Sequence, residues 1–174
     1  MATQNNSQQT LQYNYAHIHE WVVKSGVSSA ITERSIESLT DRAEIAKRLN
    51  FKGYSKNNPL GWWVSGLDLN TMKPQEFGQF KPDKPVSLSP EDEDGSKYLT
   101  PKDSQYDAIA LPHQDEGYWQ SVIDDPSIAI ALDEGTKKAG MLMTLGFVAL
   151  ALCGVWMGLK KGGKELVNNL ALLA

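Results

Sequence analysis

One cysteine, Cys153, stands among 174 residues. A single thiol excludes an intramolecular disulfide framework and any zinc site built from paired thiolates, and its place inside an apolar run fits a reducing compartment. A strong charge bias is lacking as well: 17 Lys+Arg against 21 Asp+Glu leave a formal charge of −4. That balance excludes both a polybasic nucleic-acid tail and an acidic disordered chain. The opening Met-Ala-Thr-Gln-Asn-Asn-Ser-Gln-Gln-Thr has neither the basic start nor the apolar middle of a secretory leader, so the expected location is the cytoplasm. What is present is 41% hydrophobic residues over a length suited to a sizeable core.

Residues 1–12 carry no hydrophobic period and read as a disordered tail. Tyr15, Ile18, Trp21 and Val22 then recur at helical spacing, which predicts an amphipathic helix over Tyr13 to Lys24 that Ser25-Gly26 ends. A second helix is expected from about Arg42 to Leu49, with Asp41 capping its first amides, Glu44 reaching back, and Asn50 as the stop. From Phe51 to Leu111 short aromatic and β-branched pieces alternate with proline and glycine, and Gly61–Ser65 and Glu76–Phe80 are the expected paired strands. Residues 13–112 therefore form an amino-terminal part of helices and a small β region. The acidic stretch Glu91-Asp92-Glu93-Asp94-Gly95 reads as a solvated loop, because a Ca²⁺ loop needs spaced ligands and a distant bidentate glutamate. Trp62, Trp63, Phe77, Phe80 and Tyr98 could stack bases, but alternating aromatics in a small β region read first as core. His17 and His19 flank Ile18, point apart on a helix and read as surface residues; His113 reads as a loop residue.

Residues 113–174 follow another pattern. Tyr118 to Ile123 reads as a helical turn broken by Asp124-Asp125-Pro126, and Ile128 to Leu132 as a strand buried on both faces. An acidic turn at Asp133-Glu134-Gly135 leads to Ala139, Leu142 and Met143 at helical spacing up to Gly146. Phe147 to Cys153 is a second apolar strand, closed by Gly154. This is a βαβ crossover near its minimum length, and the fold class is α/β with an α+β amino-terminal part. A competing reading takes Ala139 to Leu159, which holds no charge, as a transmembrane span. Against it, glycines interrupt the run, and Lys137-Lys138 and Lys160-Lys161 leave no charge asymmetry to orient a span.

Glu134-Gly135-Thr136-Lys137-Lys138-Ala139 followed by Gly154-Val155-Trp156 resembles the toprim-like domain of unknown function DUF3854, found in cyanobacterial and plasmid or phage proteins. In that family the acidic turn leads through a short helix to a strand ending Pro-Gly-Val-Trp, and this chain departs at Cys153, where proline is usual. Weaker likeness extends upstream through Glu20-Trp21 and Gly61-Trp62-Trp63-Val64. The resemblance implies a toprim-like fold in a DNA replication protein, beside a primase or helicase module, with nucleic acid or a nucleotide as partner and no membrane.

It also implies Glu134 as the catalytic and metal-binding carboxylate, with Gly135, Lys137 and Lys138 meeting phosphate. The family's Asp-x-Asp pair, which clamps Mg²⁺ for nucleotidyl or phosphoryl transfer, does not follow Trp156. The chain therefore reads as an incomplete toprim unit. Mg²⁺ belongs to a longer version carrying that pair, no cofactor is expected for this chain, and it is expected to be inactive alone. The alternatives are a non-catalytic interaction or regulatory protein derived from the module, and a single-span membrane protein.

Overall fold

A computed structural model describes residues 15–88 and 94–174. The expected tail at 1–12 and the carboxylates Glu91, Asp92 and Glu93 lie outside the described residues.

Helix α1 covers residues 15–25 and ends where Gly26, at φ +71°, returns its amide to the Val22 carbonyl. Its Trp21 is fully buried. Two short elements that the periodicity did not reveal follow, α2 (Ser29–Ser35) and β1 (Ile36–Leu39). The Ser28 hydroxyl caps α2 by accepting from the Ile31 amide. Helix α3 (Arg42–Arg48) lies where its cap predicted it, with the Asp41 carboxylate accepting from the Ala43 amide at 2.8 Å. Glu44 does not reach back to the cap; it accepts from Arg48 one turn later at 2.8 Å, because an ion pair at i, i+4 is available on that face. Asn50 stops the helix at φ +53°.

The two strands expected among the aromatics are present and longer, β2 (Gly61–Asp68) and β3 (Lys73–Pro82), and they pair antiparallel with β1 on the outer side of β2. Alternation along β2 splits its side chains between two cores. Trp62 and Val64 enter the main cluster with Trp21, Val27 and Trp119. Trp63, with Phe80 of β3, packs a smaller cluster against Ile45 and Leu49 of α3.

Past α4 (Tyr118–Asp124), the strand–helix–strand unit forms as β4 (Ile130–Glu134), α5 (Thr136–Thr144) and β5 (Val148–Leu152), with β4 and β5 parallel and Glu134 opposite Leu152. The fold is thus of the α/β class. Two expectations shift. The first strand starts at Ile130, and the helix begins directly after Gly135 rather than at Ala139. The first strand is also not buried on both faces: Leu132 is 51% exposed, whereas Ala149, Leu150 and Ala151 of β5 are fully buried. The cause is position, since among the described residues β4 pairs with β5 alone and stands at the edge of its sheet. The uncharged run Ala139 to Leu159 divides into the end of α5, a turn at Gly146 (φ +87°) and β5. No helix among the described residues is long and apolar enough to cross a membrane.

Residues 108–111 join the two sheets. The Leu67 amide donates to the Ala110 carbonyl at 2.9 Å, while Ile109 and Ala151 exchange both backbone hydrogen bonds at 2.8 and 3.0 Å. This segment continues along β2 beyond the end of β1 and carries the pairing across to β5. The final helix α6 (Asn168–Leu172) is fastened to the same junction by Asn169.

His17 corrects another expectation. It is 3% exposed, with its ring nitrogens 2.6 Å from the Ser38 hydroxyl and 2.9 Å from the Asp83 carboxylate. It is an internal tie between α1, β1 and the end of β3. His113 is a loop residue as expected and stacks on Tyr118 at 4.0 Å.

Candidate functional site

The parallel pair ends with Glu134 and Leu152 side by side. Gly135 follows at φ +110°, a conformation open to glycine and costly to other residues, and its amide donates to the Leu152 carbonyl at 3.0 Å. That bond fixes the turn to the end of β5. Gly135 is also the N-cap of α5 and supplies no side-chain cap to the positive end of the helix.

A cleft of about 320 Å³ opens at this place. Its lining comes from three places in the chain: Glu134 to Lys138 at the turn and start of α5, Leu152 and Cys153 at the end of β5, and Gln79 and Tyr98 from the amino-terminal part. Clefts at the carboxyl ends of parallel strands are where α/β sheets hold ligands, and this volume sits at the small end of the range for small-molecule sites. A larger hollow of about 1010 Å³ beside α3 is lined by Arg48, Glu37 and Glu44. There Arg48 is already paired with Glu37 at 2.7 Å and Glu44 at 2.8 Å and lies over the Trp63 ring, so its principal cation is spent within the protein.

The four residues singled out by the sequence therefore meet in one cleft, but they are not equivalent. Glu134 is exposed at the mouth. Lys138 projects outward with a loose ion pair to Asp133 at 3.5 Å. Lys137 is held from behind by Glu20 of α1 at 2.6 Å. Glu20 also accepts from Lys81 at 3.2 Å and from the Trp62 indole at 3.3 Å. Burial alone would raise the Glu20 carboxyl, yet the hydrogen bond from Lys137 and the charges of Lys137 and Lys81 outweigh it, leaving the group below its ordinary value. The Cys153 thiol, by contrast, is pushed up to about 12 by burial and stays protonated, so the cleft holds no thiolate nucleophile.

The Glu20 network predicts a pH signature. A carboxyl whose folded value is depressed contributes stability that is complete above its unfolded value, near 4.5, and is lost as pH falls through the lower folded value. Glu20→Gln is therefore expected to cost roughly 1–3 kcal/mol at neutral pH, the range for hydrogen bonds to charged groups, with the gap to the parent chain closing in acid. Chemical denaturation at a series of pH values checks this, and a pH-independent gap would contradict it.

Mg²⁺, the ion implied by the toprim resemblance, is poorly matched by this donor set. The cleft offers a single carboxylate, Glu134, and sets two ammonium groups beside it, whose charge opposes a cation that one carboxylate and its waters hold only weakly. Among the described residues no group of three or more His, Cys, Asp or Glu side chains comes together.

Residues 118–174 match the family model described as "Domain of unknown function (DUF3854)". The match covers α4, the β4–α5–β5 unit and α6, and so includes the Glu134 to Lys138 and the Leu152–Cys153 parts of the cleft lining. The chain is also similar to an uncharacterized protein of the cyanobacterium Picosynechococcus sp. (strain ATCC 27264 / PCC 7002 / PR-6), at 32% identity over 178 aligned residues that take in 82% of this chain and 18% of the relative. The chain thus spans less than a fifth of the length of that curated relative. No solved structure matches it.

Proposed function

We propose that the Glu134 cleft binds the phosphate of a nucleic acid or nucleotide, and that the chain is a toprim-like module of a plasmid- or phage-type DNA replication protein that works beside a primase or helicase. One observation carries the reading. A glycine turn after a parallel strand places the uncapped first turn of α5 and the Lys138 ammonium on one side of a cleft large enough for a small ligand. Lys138 and the amides would take the phosphate oxygens, Lys137 would add its field from a position fixed by Glu20, and Glu134 would accept a proton or share in holding an ion supplied with the ligand. With one carboxylate in the cleft, the chain binds without turning over its ligand, and Mg²⁺-dependent transfer belongs to a longer protein that brings a second acidic pair.

The same donor set favours a second reading, a non-catalytic interaction module derived from such a domain. Calorimetric titration with a nucleoside triphosphate and with inorganic phosphate at low salt tests the binding claim. Lys138→Glu should weaken binding about tenfold, within the range of one to two charge-assisted contacts. Glu134→Gln should leave affinity unchanged or raise it, because it removes a negative charge beside an anion. Absence of binding by the parent chain would overturn the proposal. Metal-dependent turnover insensitive to Glu134→Gln would place the chemistry elsewhere.

A further inference from the structure

Tyr98 belongs to two hollows at once. It closes the Glu134 cleft on one side, and on the other it lines a second hollow of about 430 Å³ that also reaches Lys102, Tyr106 and Lys161. The ring is held in place between them. Its neighbour Leu99 is buried and exchanges both backbone hydrogen bonds with Phe80 at 2.8 Å, and the ring itself meets Trp62 edge-on at 6.2 Å while staying 39% exposed.

The chain that leaves the cleft at Cys153 arrives at the second hollow with Lys161. Between them stands Trp156, 86% exposed. A tryptophan buries a large apolar face in most settings, so this degree of exposure on an ordered loop is unusual. The loop is braced. The Met157 amide donates to Gly154 at 2.9 Å, and a bridge pairs Leu159 with Leu166 while the Lys160 amide donates to Glu165 at 2.8 Å. The turn keeps Trp156 close to Gly154, the residue that follows Cys153 of the cleft lining.

Charge points the same way. On a chain of net charge −4, the two hollows gather Lys102, Lys161 and the loosely paired Lys138, with Lys137 already tied to Glu20 and with Glu134 and Asp103 opposing. A line of lysines interleaved with exposed rings is what an unpaired polynucleotide needs: cations to replace counterions along the phosphates, and π-faces for bases freed from stacking. A duplex offers no such bases.

We infer that a single strand of nucleic acid runs from the Glu134 cleft past Tyr98 to Lys161, with its bases stacking on Tyr98 and Trp156. The inference rests on the phosphate-binding reading of the cleft and adds the substrate class and the residues that recognise it. Binding of a fluorescently labelled oligothymidylate of about twelve nucleotides to the full chain, at two salt concentrations and against a duplex of equal length, tests it.

The single strand should bind more tightly than the duplex. Trp156→Ala should weaken it about tenfold without lowering the melting temperature, since the ring packs on little. Lys161→Gln should weaken it less and make the logarithmic salt dependence shallower by about 0.7. If the oligonucleotide binds but neither variant changes its affinity, or if it does not bind while a nucleoside triphosphate still does, the track is wrong and the cleft reading stands. If the variants behave as expected and no triphosphate binds, the cleft reading fails and with it the cleft end of the track, leaving a strand held by Tyr98, Trp156 and Lys161. Self-association abolished by Trp156→Ala, with no oligonucleotide bound, would assign the ring to a protein contact and overturn the inference.

Discussion

Asn169→Leu should destabilise the chain by roughly 3–5 kcal/mol, a large fraction of the stability of an ordinary domain. Asn169 is fully buried. Its carbonyl oxygen accepts from the Leu69 amide at 2.9 Å, and its amide nitrogen lies 2.7 Å from the Leu67 carbonyl, 2.8 Å from that of Ala108 and 3.2 Å from Gln75 Oε1. Leucine keeps the branched outline, is bulkier, and makes none of these bonds. Three backbone groups would be left without this partner in the interior, and each buried orphan costs about 1–3 kcal/mol with incomplete additivity. Asn169→Asp keeps the acceptor and loses the donor while adding a buried charge, so it should be no better tolerated. Urea denaturation measures both, and a loss below about 1 kcal/mol for the leucine variant would show that the network contributes little.

Gly66→Val should have an effect of similar size by a steric route. A Cβ at position 66 would stand 2.6 Å from the Ala110 carbonyl oxygen and 2.7 Å from its amide nitrogen, and backbone atoms of a paired strand have nowhere to go. The residue next to it, Leu67, makes the hydrogen bond to Ala110 that joins the antiparallel sheet to the segment leading on to β5. The substitution must open that joint, and changes that force backbone shifts in a packed core cost about 1–3 kcal/mol or more. Gly66→Ala, the milder probe, should lower the melting temperature and strip hydrogen-exchange protection from the Leu67 and Ile109 amides first. Protection at both amides equal to that of the parent chain would refute this account.

Local signals carried much of this fold. The aromatic alternation around Trp62-Trp63 and Phe77 to Phe80 marked β2 and β3, Asp41 marked the start of α3, and the glycine after Glu134 marked the turn that lines the cleft. α2 and β1 escaped because seven- and four-residue elements are too short to express a period. The apolar run at Ile128 to Leu132 suggested a central strand, but apolarity does not reveal whether a neighbour exists, and β4 has one on a single side.

The other misses share one cause, partners remote in the chain. His17 is buried because Ser38 and Asp83 satisfy its ring, and Glu20 lies 117 positions before the Lys137 it holds. Of the cleft, the Glu134–Lys138 lining was legible as a motif. The Gln79 and Tyr98 lining was not, since Tyr98 reads only as one more aromatic until the fold brings it into the same cleft as Glu134.

The span that Asn169 closes also sets a clock for folding during synthesis. Leu69 leaves the ribosome 100 residues before the side chain that completes its hydrogen bonding. At about 5–20 residues per second, Leu69 waits roughly 5–20 s for that fastening, and the later-made Leu67–Ala110 junction a shorter time. During that interval the nascent chain holds Trp62, Val64 and Leu69 over a core whose far side, Leu150 and Val167, is not yet made. A holding chaperone has its longest opportunity there, and slower codons downstream of Leu69 would lengthen the exposure without altering a single amino acid.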